Sequence, residues 1–171
     1  MQIDTPFGPA WASVDENGAL TRFHFGDPLP VHEGDCREVS RQVAEYFRGE
    51  RTDFDLPLAP KGTPFQKSVW AELVQIPCGT TTSYGELAKK LGRPGASRAV
   101  GRANATNPIW LIVPCHRVIG STGKLTGYAG GVDLKDKLLA WERKIAPAAM
   151  REFSLFEELE LPERAVFAAS R

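Results

Sequence analysis

Residues 83–104 read SYGELAKKLGRPGASRAVGRAN, and this stretch decides the fold. Ser83 precedes Glu86 by three positions, which is the spacing of a capping box, so a short helix is predicted from 84 to about 91. After an Arg-Pro-Gly turn, the pattern predicts a second helix over 96–103. Two short helices joined by a glycine-containing turn indicate a helix-turn-helix, although an ordinary helical hairpin packed in the core fits the same pattern.

The second of these helices has an unusual surface. Arg98 and Arg102 lie four positions apart, which puts them on one helix face, and the residues between them are small. Residues 84–104 carry five basic side chains against one acidic side chain. A surface of small residues permits close approach to another backbone, and the basic excess suits phosphates, so this helix is a candidate nucleic-acid contact.

Charge is unevenly distributed along the chain, although the net charge of the 171 residues is zero. Residues 1–62 hold 6 basic and 11 acidic side chains, residues 63–150 hold 12 and 5, and residues 151–171 hold 3 and 5. Only the middle segment has the positive excess expected of a domain that binds a polyanion. Solvated charges without any partner are the alternative explanation.

The Pro/Gly-rich sequence PLAPKG at 57–62 indicates a linker. We therefore expect an N-terminal domain at 1–58, a second domain at 63–146, and an extension at 147–171 that either packs on the fold or binds a partner. The other predicted elements follow from local patterns. They are a β-hairpin over 10–25 around Asn17-Gly18, a helix over 35–48, a helix opening at Thr63-Pro64, an extended run over 107–113, and a helix over 133–143 with Leu134, Leu138 and Trp141 inward.

Composition narrows the classes of function. The chain is 42% hydrophobic and 25% charged, as is typical of a globular protein, and no run approaches the roughly 18 apolar residues of a membrane span. The N-terminus has no basic stretch followed by an apolar run, so a cytoplasmic protein is expected. Three cysteines cannot all pair, and none lies in a Cys-x-x-Cys motif. His24, His32 and Cys36 lack convincing ligand spacing, so no metal is expected.

Cys115, in the sequence PCHRV at 114–118, is the candidate nucleophile. A cysteine is most often a small buried hydrophobic residue, and a reactive thiol needs a base or a positive field beside it. His116 and Arg117 offer both. Side chains of consecutive residues in an extended segment point to opposite faces, so contact between the thiol and the imidazole requires a bridging water or a sharp turn. Glu142 is the carboxylate expected to orient the imidazole, with a surface charge as the alternative.

The sequence PCHRVIG at 114–120, with Asn107-Pro108 upstream and TGYAGG at 126–131 downstream, resembles the O6-alkylguanine-DNA alkyltransferases. The similarity spans roughly residues 63–145. Further matching motifs occur in the same order: IPCG at 76–79, TTSYGELA at 81–88 and RAVG at 98–101. The resemblance implies an α+β fold, with a small N-terminal unit that has a ribonuclease-H-like sheet and a helix, followed by a mainly helical, winged-helix-like domain that contains the helix-turn-helix.

The resemblance also implies direct-reversal DNA repair. The alkyl group of O6-alkylguanine in duplex DNA, with O4-alkylthymine left open as a second substrate, moves once to Cys115 without any cofactor. His116 is then the water-linked base, Glu142 orients the histidine, and Asn107 braces the active-site turn. Tyr84 assists base flipping and donates a hydrogen bond to the departing guanine.

The partner implied by the resemblance is double-stranded DNA, bound by a monomer through the minor groove. Arg98 fills the gap left by the flipped nucleotide. The remaining implied residues are Ala96, Ser97, Ala99, Gly101 and Arg102 on the DNA-contacting helix, and Trp110, Val118, Tyr128, Ala129 and Gly130 in the base pocket. Trp110 departs from the pattern, because relatives usually carry a smaller residue or proline there. Its indole stacks on the flipped base or excludes bulky adducts, or else it belongs to the core.

Two other classes of function remain open. In a cysteine hydrolase, Cys115 would form an acyl or phosphoryl intermediate that water cleaves, but the phosphatase version needs an arginine where this chain has Ser121. A DNA-damage sensor, similar to the alkyltransferase-like proteins, would bind alkylated guanine without repairing it. Those proteins carry another residue, commonly Trp, at the acceptor position, so the presence of Cys115 argues against this class.

Overall fold

The computed structural model describes residues 1–28, 34–125 and 127–147. His32, Thr126 and the extension beyond Pro147 lie outside these residues. The strands are β1 (Gln2–Thr5), β2 (Gly8–Val14), β3 (Leu20–Phe25), β4 (Thr82–Ser83) and β5 (Val118–Ile119). The α-helices are α1 (Arg37–Phe47), α2 (Pro64–Val74), α3 (Tyr84–Lys90), α4 (Ser97–Ala105) and α5 (Val132–Ile145). Within the described ranges, no helix is long and apolar enough to cross a membrane.

The N-terminal unit is an antiparallel sheet in the order β1-β2-β3, accompanied by α1. The predicted hairpin is confirmed, and Asp15 closes its turn by accepting hydrogen bonds from the backbone N–H groups of Asn17 and Ala19. The predicted end of α1 is also confirmed, since Gly49 follows it with φ of 75°. Strand β1 was not predicted, because only Ile3 of its four residues is buried and the alternation is therefore weak.

The helices after the linker follow their capping residues. Thr63 accepts a hydrogen bond from the backbone of Gln66, and the Gln66 side chain accepts one from Thr63, so α2 opens with a complete capping box. Ser83 caps α3 in the same way, but the Glu86 carboxylate pairs with Lys89 instead of completing the box. Helices α3 and α4 pack on each other and on α2. The predicted pair of short helices is confirmed.

The prediction of an extended run over 107–113 is wrong after Ile109. Ile109 forms a bridge to β3, but the chain then turns. The Asn107 side chain holds this turn, because its Oδ1 accepts from the Ile109 N–H at 2.9 Å and its Nδ2 donates to the Val113 carbonyl at 2.8 Å. A side chain thus supplies the hydrogen bonds that a neighbouring strand would supply in a sheet.

One buried core runs through both parts of the chain. Phe23 of β3 bridges Ile109, and its carbonyl accepts from the Trp110 N–H at 2.8 Å. Trp70 of α2 is 1% exposed and donates from its indole to the Ala103 carbonyl of α4 at 2.8 Å. The N-terminal sheet therefore supports the loop that leads to Cys115, and α2 supports the helix-turn-helix.

Candidate active site and DNA-facing surface

Cys115 begins a 3₁₀ turn, Cys115–Arg117, between the loop held by Asn107 and strand β5. The residue is 3% exposed, and its backbone N–H donates to the Val113 carbonyl at 2.8 Å. A sharp turn, one of the two arrangements expected to bring the thiol and the imidazole together, is therefore present. His116, the next residue, is fully buried.

His116 contacts a carboxylate, as predicted. Its Nε2 lies 2.7 Å from Oε1 of Glu142, and both side chains are fully buried, so the surface-charge alternative for Glu142 is wrong. Glu142 accepts further hydrogen bonds from Nη2 of Arg117 at 2.8 Å, from the Tyr46 hydroxyl at 2.9 Å and from the Gly79 N–H at 3.2 Å. The carboxylate thus joins α5 to α1, to the 3₁₀ turn and to the loop before β4.

This geometry assigns the tautomer of His116. The Glu142 carboxylate can only accept hydrogen bonds, so the proton of a neutral imidazole lies on Nε2 and leaves Nδ1 as the acceptor. Nδ1 is buried and has no hydrogen-bond partner among the described residues. A buried acceptor of this kind, one residue from a thiol, is a candidate site for receiving a proton.

The thiol itself is held in its neutral form. Burial raises the pKa of Cys115 to about 11, although Asn107, Lys135 and Tyr128 act in the opposite direction. A thiolate is the reactive form of cysteine. The thiol therefore needs a base at the moment of reaction.

Both His116 and Glu142 favour their deprotonated forms. Burial lowers the pKa of His116 and outweighs the raising effect of Glu142, so the imidazole is neutral at pH 7. Burial by itself would raise the pKa of Glu142, but the charges and hydrogen bonds of Arg117 and His116 hold it well below its usual range. A neutral imidazole beside an ionised carboxylate is an arrangement suited to accept one proton.

The buried face of α5 includes the predicted residues and extends beyond them. Leu134, Leu138 and Trp141, which were predicted to face inward, all contact the core: Leu138 is fully buried, and the other two are partly buried and pack against it. The buried residues are Lys135, Leu138, Leu139 and Glu142. Polar contacts account for the two buried charged residues, because Lys135 donates to the Val118 carbonyl at 2.6 Å and Glu142 pairs with Arg117.

Direct contacts join three of the predicted base-pocket residues. The rings of Trp110 and Tyr128 lie 5.7 Å apart, and a Cβ atom added to Gly130 would approach each ring to 3.0 Å. The Tyr128 hydroxyl is buried and lies within hydrogen-bonding reach of the Cys115 thiol. Burial first, and then the nearby Cys115, raise its pKa. Val118 is fully buried in β5, and Ala129 is exposed.

The outer face of α4 presents cations among small residues. Arg98, Ala99 and Arg102 are exposed, while Ala96 and Ser97 at the start of the helix are half-buried. Neither arginine forms an ion pair within the part of the chain that the structure describes.

Two contacts tie this helix to the rest of the site. Tyr84 packs against it, since a Cβ atom on Gly101 would lie 3.7 Å from the Tyr84 ring. On the inner face, Asn104 donates from Nδ2 to the Cys115 carbonyl at 3.4 Å. The helix with the exposed arginines therefore also contacts the backbone of the candidate nucleophile.

Sequence reasoning missed three residues of the site: Tyr46, Asn104 and Lys135. Lys135 had a detectable signal, because it lies seven positions before Glu142 with Leu138 and Leu139 between them, which is helical spacing. Tyr46 and Asn104 had no such signal, since each reaches the site only through the tertiary fold.

The fold and the site together define a class of protein. A helix-turn-helix with a cationic face packs beside a buried thiol and a His–Glu pair, and these features are those of a DNA-binding protein with a candidate cysteine nucleophile.

Comparison with known proteins identifies the family. The family model described as 6-O-methylguanine DNA methyltransferase, DNA binding domain, matches residues 64–144. The methylated-DNA–protein-cysteine methyltransferase of Methanosarcina acetivorans is 51% identical over 148 residues, which cover 82% of this chain and 95% of the relative. The protein of the same name from Mycobacterium bovis is 56% identical over 159 residues, which cover 88% and 96%.

Solved structures agree with this result. The O6-methylguanine methyltransferase of Mycobacterium tuberculosis is similar to this chain with a TM-score of 0.76 and 46% identity, covering 86% of this chain and 93% of the other. OGT of the same organism in complex with DNA gives a TM-score of 0.78 at 46% identity, covering 86% and 94%. The chain belongs to the methylated-DNA–protein-cysteine methyltransferase family. The resemblance and the α+β fold expected from the sequence are confirmed.

Proposed function

We propose that this chain repairs duplex DNA by moving the alkyl group of O6-alkylguanine onto the sulfur of Cys115. The observation that carries the proposal is Nδ1 of His116, a buried acceptor without a partner among the described residues, one residue from a buried neutral thiol. Glu142 holds the opposite ring nitrogen at 2.7 Å. The imidazole is thus oriented to take the thiol proton, through one bridging water.

The proposed step balances in bonds and protons. The Cys115 thiol gives its proton to Nδ1 of His116, and the ionised Glu142 stabilises the imidazolium that forms. The thiolate attacks the alkyl carbon, so an S–C bond forms and the C–O6 bond breaks. The electron pair of the broken C–O6 bond passes to guanine, which takes up a proton from water and leaves as a neutral base, while the imidazolium returns its proton to water. A thioether has no good leaving group, so each chain acts once and needs no cofactor.

The flipped base is proposed to lie against Trp110 and Tyr128. The contact of these rings with each other and with Gly130 supports a flat pocket, and the hydrogen bond between the Tyr128 and Cys115 side chains supports its nearness to the thiol. Tyr84 is proposed to donate a hydrogen bond to the departing guanine, which lowers the barrier by stabilising the charge that develops on the base.

DNA is proposed to bind through its minor groove on the outer face of α4. The exposed arginines and the small residues between them support this assignment, because such a helix approaches a narrow groove closely. Arg98 would fill the gap that the flipped nucleotide leaves in the duplex. The complex of the Mycobacterium tuberculosis relative with DNA gives independent support for a nucleic-acid partner.

We also propose that the two parts of the chain have different roles. Residues 63–146 carry DNA binding and alkyl transfer, and residues 1–58 form a domain that supports the site. The protein acts as a monomer on one lesion. A cytoplasmic location fits the thiols of Cys78 and Cys115, since a reducing compartment keeps cysteines unpaired.

The test is a titration of a duplex that carries one O6-methylguanine, supplied in excess over the protein. We expect repair to stop when one lesion has been lost per protein molecule. Cys115→Ser should repair none, whereas the matched control Cys36→Ser, which removes a buried thiol of the N-terminal unit, should reach the same plateau as the wild type. Continued turnover would identify a hydrolase, and binding without loss of the lesion would identify a damage sensor; either result overturns the proposal.

A further inference from the structure

We propose that Tyr46 of α1 is a positioning residue for alkyl transfer: its hydroxyl holds the Glu142 carboxylate and sets the basicity of His116. This inference rests on the proposed function, in which His116 receives the thiol proton. Tyr46 lies outside the residues 64–144 that the family model matches. The N-terminal unit would therefore contribute a residue that affects proton transfer from Cys115 to His116, in addition to supporting the site.

The Tyr46 hydroxyl contacts the same oxygen of Glu142 that His116 contacts. It donates to Oε1 of Glu142 at 2.9 Å, and Oε1 is the same oxygen that lies 2.7 Å from Nε2 of His116. The hydroxyl has little freedom to move, because Tyr46 is fully buried and its ring packs against Phe47 and Phe54 at centroid distances of 5.1 and 5.3 Å. A fixed donor of this kind restricts the carboxylate to one orientation.

The other groups around the pair do not replace this donor. They are Arg117 from the 3₁₀ turn, Cys78 from the loop before β4, Lys135 from α5 and Tyr128 from the loop before α5. Arg117 keeps the carboxylate ionised. Cys78 and Tyr128 remain neutral, because burial raises the pKa of Cys78 to about 12 and that of Tyr128 well above its usual value. Lys135 donates to the Val118 carbonyl and acts on His116 through space.

Removal of the Tyr46 hydroxyl should change the pKa of His116 in one direction, upward, for an electrostatic reason. Each donor on Oε1 draws negative charge away from the side of the carboxylate that faces His116. Without the Tyr46 hydroxyl, more negative charge faces the imidazole, which favours the imidazolium and raises the pKa of His116. The hydroxyl itself stays protonated throughout, since burial first, and then Glu142, raise the pKa of Tyr46.

The experiment compares the full-length wild type with Tyr46→Phe by two measurements. The first is an NMR pH titration of the His116 ring, which is assignable in a chain with three histidines by its loss in His116→Gln. The second is the rate of methyl transfer from lesion duplex as a function of pH. We expect the titration midpoint of His116 to move up in Tyr46→Phe. The ratio of wild-type to variant rate should grow about two- to tenfold from about pH 8 to about pH 6.

The matched control is Phe47→Leu, the next residue on α1, whose ring packs on Tyr46 and lies 6.3 Å from Trp141. This variant loses packing but keeps the hydroxyl, so its His116 midpoint should equal that of the wild type and its rate ratio should not vary with pH. The proposal is overturned if Tyr46→Phe shows an unchanged or lowered midpoint. If the wild type transfers no methyl group, the proposed function fails, while the NMR midpoint still decides the effect of Tyr46 on His116.

Discussion

Replacing Glu142 with glutamine should remove a large part of the stability of the fold. Glutamine keeps the shape of the side chain but loses the charge, so Arg117, which is 5% exposed, becomes a buried cation without a counter-charge. Breaking a buried ion pair in this way costs about 3–5 kcal/mol of unfolding free energy. In a chain of 171 residues, where each kcal/mol shifts Tm by about 2–4 °C, this corresponds to a Tm lower by about 6–20 °C.

Thermal and urea unfolding at neutral pH measure this loss. The matched control is Glu50→Gln, which removes a carboxylate from an exposed pair with Arg48 at 2.7 Å. Because solvent screens that pair, this variant should unfold at close to the wild-type temperature. A loss in Glu142→Gln below about 1 kcal/mol, the size of one ordinary hydrogen bond, would refute the interpretation of Glu142 as the centre of a buried charge network.

Three further predictions concern pH, DNA binding and the pocket. Acidification should lower the unfolding free energy in two stages, because the unfolded chain protonates His116 below about pH 6.5 and Glu142 below about pH 4.5, whereas the fold lowers the pKa of both groups. Urea titrations across this range measure the effect, and a flat profile would contradict it. Arg98→Ala should lower the rate of repair in duplex DNA more than the rate of reaction with free O6-benzylguanine. The control Arg22→Ala, on β3, should leave both rates unchanged. Equal losses of rate on both substrates would mean that Arg98 has a structural role. Trp110→Ala should raise the ratio of benzyl to methyl transfer rates by about tenfold or more, and an unchanged ratio would limit Trp110 to packing.

Local sequence signals were sufficient for the helices and the hairpin. Thr63 and Ser83 accept the hydrogen bonds that their positions before α2 and α3 imply, and Gly49 ends α1 with a positive φ. These signals work because a cap or a turn depends on residues within a few positions of one another. The same is true of the motif around Cys115, whose residues are contiguous.

Signals of this kind were insufficient wherever the fold joins distant residues. Tyr46 lies 96 positions from Glu142, and no local pattern pairs them. The apolar composition of 107–113 is typical of a strand, yet the Asn107 side chain satisfies the backbone groups that a strand would leave to its neighbour. In both cases the hydrogen bonds of one side chain, which composition does not reveal, decided the structure.

The most direct test of alkyl transfer is mass spectrometry of the peptide that contains Cys115, after reaction with a duplex whose O6-methyl group carries an isotopic label. We predict that the label lost from the DNA appears in equal amount on the Cys115 sulfur, and that none appears on any peptide of Cys115→Ser. Labelled methanol in solution, or an unmodified Cys115 after the lesion has disappeared, would contradict transfer to this cysteine.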